Sequence, residues 1–179
     1  HHDLMDLIIT EKDGKKHCEG IVTRNLINGE IAPFTGHAVI LATGGYGNVY
    51  HKTTLAKNSN SSAMMRAYER GAYLASPCFV QFHPTGLPVN AKWQAKTTLM
   101  SESLRNDGRI WTPKEKGDDR DPNTIPEEER DYFLERRYPA FGNLVPRDVA
   151  SRAISQQLNA GYGVGPLHNS AYLDFADAI

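Results

Sequence analysis

The chain has 179 residues, 40% hydrophobic and 23% charged, a length that suits one domain or one domain plus part of a second. Its 20 Lys and Arg nearly cancel its 21 Asp and Glu, so no global basic field directs it to nucleic acid. The longest apolar run, around Ala38–Ala42, falls far short of a membrane span, so any membrane link is expected to come through a partner.

No signal-peptide pattern opens the sequence. Cys18 and Cys78 form no CxxC pair and read as reduced, small apolar residues of a cytoplasmic protein. The first third reads as β-structure. Leu4–Thr10 is apolar and bounded by the turn-forming Lys12-Asp13-Gly14. Cys18–Asn25 and Glu30–Phe34, joined through Asn28-Gly29, read as a hairpin. His37–Thr43 is a nearly continuous apolar run ending in Gly44-Gly45, the pattern of a strand buried on both faces.

Ser61–Arg70 reads as a helix with Asn60 or Ser61 as N-cap, Met64, Ala67 and Tyr68 on one face, and Gly71 at its end. Residues 72–90 return to strand-like spacing, punctuated by Pro77, Pro84 and Pro88. The charged stretch 114–137 reads as a solvated or docking face. Within it, Pro126 opens a predicted helix with Glu127 and Glu128 in its first turn and Arg136 and Arg137 in its last, the charge order a helix dipole favours. A final helix starts at Pro146, with Val149, Ala150, Ala153, Ile154 and Leu158 on one side, before a Gly-rich tail around Gly161–Gly165. The fold class is therefore α+β, β-rich in its first third and mixed thereafter.

Four segments carry residues suited to chemistry, and each also has a plain structural reading. Ala42-Thr43-Gly44-Gly45 ends the predicted buried strand, where paired glycines permit close approach of a ligand or simply make a turn. Gln81-Phe82-His83-Pro84-Thr85-Gly86 mounts an imidazole rigidly enough to aim at a carboxylate, or holds a satisfied core histidine; the other histidines lack metal-ligand spacing to it, which argues against zinc. Ser101-Glu102-Ser103-Leu104-Arg105 offers a hydroxyl, a carboxylate and a guanidinium, with Glu102 and Arg105 at i,i+3 in a helix, or a surface ion pair worth at most about 1 kcal/mol. In Pro146-Arg147-Asp148 the cation opposes the dipole of the helix it starts, a poor arrangement for stability and a good one for binding an anion. Asp148 offsets part of that penalty and allows a structural role.

Taken together, these blocks resemble the succinate dehydrogenase/fumarate reductase flavoprotein family. The resemblance rests on HAVILATGGYGNVY (37–50), RGAYLASPCFVQFHPTGLP (70–88), LMSESLRNDGRIW (99–111), EERDYFLERRYPAFGNLVPRDVASRAI (128–154) and YLDFADAI (172–179). It covers nearly the whole chain and is strongest toward the flavoprotein subunits of membrane-associated, quinone-linked complexes.

The resemblance implies an internal segment: residues 1–80 as part of an FAD-binding α/β domain, and 81–179 as a mixed α/β capping domain that closes over a dicarboxylate. Ala42, Thr43, Gly44 and Gly45 match the segment lying against FAD. His83 and Ser101 match substrate ligands, and so does Glu102, with Ser101 standing for the family's Thr. Arg147 matches the group that moves a proton at the substrate carbon, and Glu102 with Arg105 matches its relay.

The implied reaction interconverts succinate and fumarate, with hydride passing between flavin N5 and one central carbon while fixed donors clamp the carboxylates. An arginine gives up a proton only in a crowded, cationic, dry site, and that role comes from the resemblance. The partners implied are an iron–sulfur subunit and a membrane anchor subunit, placing the protein on the inner face of a bacterial cell membrane. No metal ligands are expected in this chain.

The dinucleotide fingerprint and a further substrate His and Arg are expected elsewhere in the full-length protein. Asn58–Ser62 lacks the Thr-Gly-Asp-Gly run of many relatives. This segment alone is therefore expected neither to hold FAD nor to turn over substrate. L-Aspartate oxidase shares the His-Pro-Thr, Ser/Thr-Glu and Pro-Arg-Asp elements and is the nearest alternative. A soluble fumarate reductase and a non-catalytic interaction domain are more distant ones.

Overall fold

The computed structural model describes residues 1–89 and 97–176. The last residue of the predicted 72–90 stretch and the end of YLDFADAI lie outside them. The chain divides into two compact units, His1–Phe79 and Val80–Ile179, and together they have the mixed α+β character expected from the sequence.

The first unit is built on an antiparallel meander of β1 (His2–Lys12), β2 (Lys15–Asn25) and β3 (Ile31–Thr35). Asp13 and Gly14 both adopt positive φ and join β1 to β2 in two residues, the geometry whose twist matches a hairpin. Asn25 and Gly29 close the second turn: the Gly29 N–H donates to the Asn25 carbonyl at 2.9 Å, and the Asn25 N–H donates to that of Glu30 at 2.8 Å. Gly20 is required where β2 meets β3, because a Cβ there would lie 2.3 Å from the Phe34 carbonyl oxygen.

Helix α1 (Ser62–Glu69) follows. Ser61 occupies the cap position with φ of 63° and makes no side-chain cap bond; the Asn60 carboxamide oxygen instead accepts from the Ser62 N–H at 3.1 Å. Its buried face is Ala63 and Ala67, whereas Tyr68, predicted on that face, is exposed.

The expected strand His37–Thr43 is irregular chain without pairing, and Ile40 is 90% exposed. A strand buried on both faces takes its order from neighbouring strands and covering helices, and none among the described residues pairs with it. Residues 72–89 likewise form no strand, apart from an isolated bridge between Gly86 and Leu99.

The second unit centres on a small antiparallel sheet in which β4 (Arg109–Pro113) lies between β5 (Arg130–Asp131) and β6 (Tyr172–Asp174). Its core joins Ile110, Phe133, Leu134, Val145, Ala150 and Ala153. Helix α4 (Arg147–Gln157) supplies the two alanines to this core. The single helix expected from Pro126 to Arg137 is broken into a one-turn 3₁₀ segment (127–129), β5, and α3 (Phe133–Arg137). Tertiary pairing overrides the local signals here, since Arg130 and Asp131 pair with Pro113 and Thr112.

The charged stretch is also less solvated than its composition suggests. Arg130 stacks its guanidinium 4.7 Å from the Trp111 ring centroid and bonds Asp174 at 2.7 Å. Just before the stretch, Arg109 lies 3.6 Å from the Tyr132 centroid while Glu135 grips it through two oxygens at 2.9 Å.

Candidate functional site

Within the second unit, three separate segments deliver His83, Glu102, Arg105 and Arg147 to one place. Glu102 sits in the turn before α2 (Leu104–Asp107), and the Arg105 N–H donates to the Glu102 carbonyl at 3.1 Å. That turn puts the Arg105 guanidinium on Glu102 Oε1, with Nε donating at 2.8 Å and Nη2 closer still. The other carboxylate oxygen, Oε2, faces His83 Nε2 at 3.3 Å and Arg147 Nε at 3.6 Å. It is buried and accepts no hydrogen bond. A desolvated carboxylate oxygen without a donor is costly, which is a reason to expect a ligand, water or moving proton there.

Arg105 is 5% exposed, so its contact with Glu102 is not the weak surface pair that spacing alone allowed. Its Nη1 donates to the Asn143 and Val145 carbonyls at 2.8 and 3.0 Å. Arg147 lies in the first turn of α4, two residues past Val145, which caps a 3₁₀ turn (Gly142–Leu144), with its side chain half exposed. Asp148 does not neutralise it directly, since its carboxylate pairs with Arg152 at 2.7 Å. Beside this helix start a groove of about 800 Å³ is lined by Phe82, Arg147, Asp148, Ser151 and their neighbours.

The His83 ring is fixed by Thr85, a buried residue that the sequence did not single out. The Thr85 N–H donates to His83 Nδ1 at 3.3 Å, with the Thr85 hydroxyl 2.9 Å from the same nitrogen. A backbone N–H can only donate, so Nδ1 accepts and the neutral ring carries its proton on Nε2, toward Glu102. Burial is the largest influence on His83 and pushes its pKa below the ordinary imidazole value; Glu102 opposes this, while Arg147 and Arg105 add to it.

Because the folded value lies below the unfolded one, His83 favours the folded state fully above about pH 6.5. That contribution is lost as pH falls through the folded value. Thermal midpoints of the protein and of His83→Gln are therefore expected to converge as pH drops from 7.5 to 5; parallel curves would contradict the buried, neutral ring.

Ser101 is exposed, and its hydroxyl lies 2.6 Å from that of Ser103 instead of joining the Glu102 cluster. The remaining candidates, Ala42, Thr43, Gly44 and Gly45, lie in the first unit and are all exposed. Gly44 has φ of 76°, a left-handed conformation that other residues adopt at a cost. None of the four makes a backbone hydrogen bond among the described residues. Exposed, unbonded backbone around a positive-φ glycine is what close approach of a flat, polar cofactor requires, so these residues fit the ligand expected there.

Asn143 is the other residue that sequence reasoning missed as a contributor. It is buried and bonded to three backbone groups, yet in sequence it is a polar residue in a Gly-containing turn, with no local signal of its role.

A family profile described as "FAD binding domain" matches residues 1–179. The chain belongs to this FAD binding domain family. Among curated members, the succinate dehydrogenase flavoprotein subunit of Bacillus subtilis is 42% identical over 166 residues, covering 92% of this chain and 25% of the relative. Among solved structures, a chain of E. coli quinol fumarate reductase superposes with a TM-score of 0.64 at 27% identity, covering 96% of this chain and 27% of that one. Mycobacterium smegmatis Sdh1 in complex with UQ1 gives a TM-score of 0.60 at 29% identity, covering 99% and 26%.

An L-aspartate oxidase of Arabidopsis thaliana is a more distant member, at 29% identity over 167 residues. The chain spans about a quarter of the length of the curated relatives it matches. Among the described residues no helix is long and apolar enough to cross a membrane.

Proposed function

We propose that this chain is a segment of a succinate dehydrogenase/fumarate reductase flavoprotein subunit, contributing part of the FAD-binding domain (1–80) and the capping domain that closes over the dicarboxylate (81–179). The parting of the chain at Phe79 and Val80 supports that division. The observation that carries the reading is Glu102, gripped by Arg105 through one oxygen and offering the other, unbonded, between His83 and Arg147.

In this reading the bound flavin supplies the two-electron chemistry, with the exposed backbone of Ala42, Thr43, Gly44 and Gly45 against it. The residues of the second unit do the rest. His83, neutral and fixed by Thr85, donates from Nε2 to a substrate carboxylate, and Ser101 adds its hydroxyl. Arg147 presents a cation at a helix start, where free N–H groups also favour an anion.

A proton leaving the substrate carbon passes to Arg147 and on to Glu102, whose unbonded oxygen is placed to receive it, with Arg105 holding the carboxylate in position. Arg147 Nε lies 3.6 Å from that carboxylate, close enough for the two groups to exchange a proton in this reading. The dryness must come when the full-length protein closes over Arg147, which is half exposed in this unit. The partners would be an iron–sulfur subunit and a membrane anchor, holding the protein at the inner face of the cell membrane and coupling it to quinone.

The test is to express the full-length subunit and assay flavin-linked conversion of succinate and fumarate beside L-aspartate. Turnover of either dicarboxylate with aspartate inert is the expected result. Turnover of aspartate alone would move the protein to the oxidase branch, and turnover of none of them would sink the reading.

A further inference from the structure

We propose that Asn143 is a positioning residue for the proton relay, its carboxamide setting how far Arg105 lies from Arg147. The inference rests on the dicarboxylate reading above and goes beyond it by assigning a residue that touches neither substrate nor flavin. The Asn143 side chain is buried. Its Nδ2 donates to the Arg105 carbonyl at 2.7 Å and to the Gly108 carbonyl, and its Oδ1 accepts from the Ile110 N–H at 3.2 Å. One carboxamide thus ties α2, the residue that ends it, and the second residue of β4.

The link is reciprocal. The Arg105 guanidinium donates to the Asn143 and Val145 carbonyls, so five hydrogen bonds join residues 105–110 to residues 143–145. Only Pro146, with its restricted φ, separates Val145 from Arg147. The bracket therefore locates both arginines on the two sides of the Glu102 carboxylate, where Arg105 Nε lies at 2.8 Å and Arg147 Nε at 3.6 Å. Proton transfer along such a line is sensitive to displacement; a shift of about 1 Å in a reacting geometry can cost about 100-fold in rate. His83 is held separately by Thr85, so carboxylate binding should survive a change that slows the proton step.

An asparagine that merely anchors a turn makes a different prediction, and the kinetics separate the two. In the full-length flavin-loaded subunit, Asn143→Ser is expected to lower kcat for succinate oxidation about 10- to 100-fold, with KM within a few-fold and a displaced pH profile of kcat. Leu173→Ala, which trims the same core from β6 beside Gly108 but removes none of the five hydrogen bonds of the bracket, serves as the stability control and should leave both the profile and kcat near wild type.

Asn143→Asp is made in parallel, since it keeps the acceptor for Ile110 and loses both donors. A flavin-loaded Asn143 variant with kcat and pH profile matching Leu173→Ala overturns the proposal. So does failure of both Asn143 variants to load flavin when Leu173→Ala loads normally, because the role is then structural. A wild-type subunit inactive on both dicarboxylates instead rejects the underlying reading, before any variant is compared.

Discussion

Arg147→Ala in the full-length subunit is expected to lower succinate–fumarate turnover by about 10²- to 10⁴-fold, the range that a positioned proton-transfer group contributes. The loss should fall on kcat more than on KM if the guanidinium acts chiefly in the proton step, since in the proposed reading His83 would still hold a substrate carboxylate. Folding should be little affected. The side chain is half exposed, and removing a cation from the first turn of α4 relieves an unfavourable interaction with the helix dipole. An Arg147→Ala protein with stability near wild type and little activity would support the assignment; one that keeps wild-type kcat would remove Arg147 from the chemistry. Arg147→Lys keeps the charge but not the planar fork, so its activity should lie between the two.

Arg105→Met should have the larger effect on stability, about 3–5 kcal/mol, as expected when one partner of a buried ion pair is removed. Three groups are left unsatisfied at once: the Glu102 carboxylate and the carbonyls of Asn143 and Val145. Methionine fills much of the volume, so a cavity is not the cause. Glu102→Gln should cost less, about 1–2 kcal/mol, because Arg105 keeps its two carbonyls and a neutral acceptor at Oε1. Urea unfolding followed by tryptophan fluorescence, with Trp111 buried in the same unit, measures both. Equal costs for the two substitutions would show that the pair, and not the backbone bracket, holds this site together.

Much of this protein was legible in its sequence wherever structure is local. The turn at Asp13-Gly14, the pairing of β2 with β3 and the helix that begins after Pro146 appear as expected, because positive-φ residues, helix-start signals and an apolar stripe act over a few residues. The odd placement of Arg147 at a helix start was also readable, since charge against a helix dipole is a property of sequence position. The family resemblance, too, is carried by linear segments.

What tertiary structure alone decided lies at longer range. His37–Thr43 carries the composition of a buried strand, but a strand forms only against neighbours. The run from Pro126 to Arg137 has helix signals at both ends, yet pairing of Arg130 and Asp131 with β4 breaks it in the middle. The i,i+3 spacing of Glu102 and Arg105 is equally consistent with a surface pair and a buried one. It became the latter because carbonyls almost forty residues away, at Asn143 and Val145, accept the remaining guanidinium protons and draw Arg105 inside. Hydrogen-bond partners supplied from distant segments leave no periodicity to read, which is why Asn143 emerged only once the chain had folded.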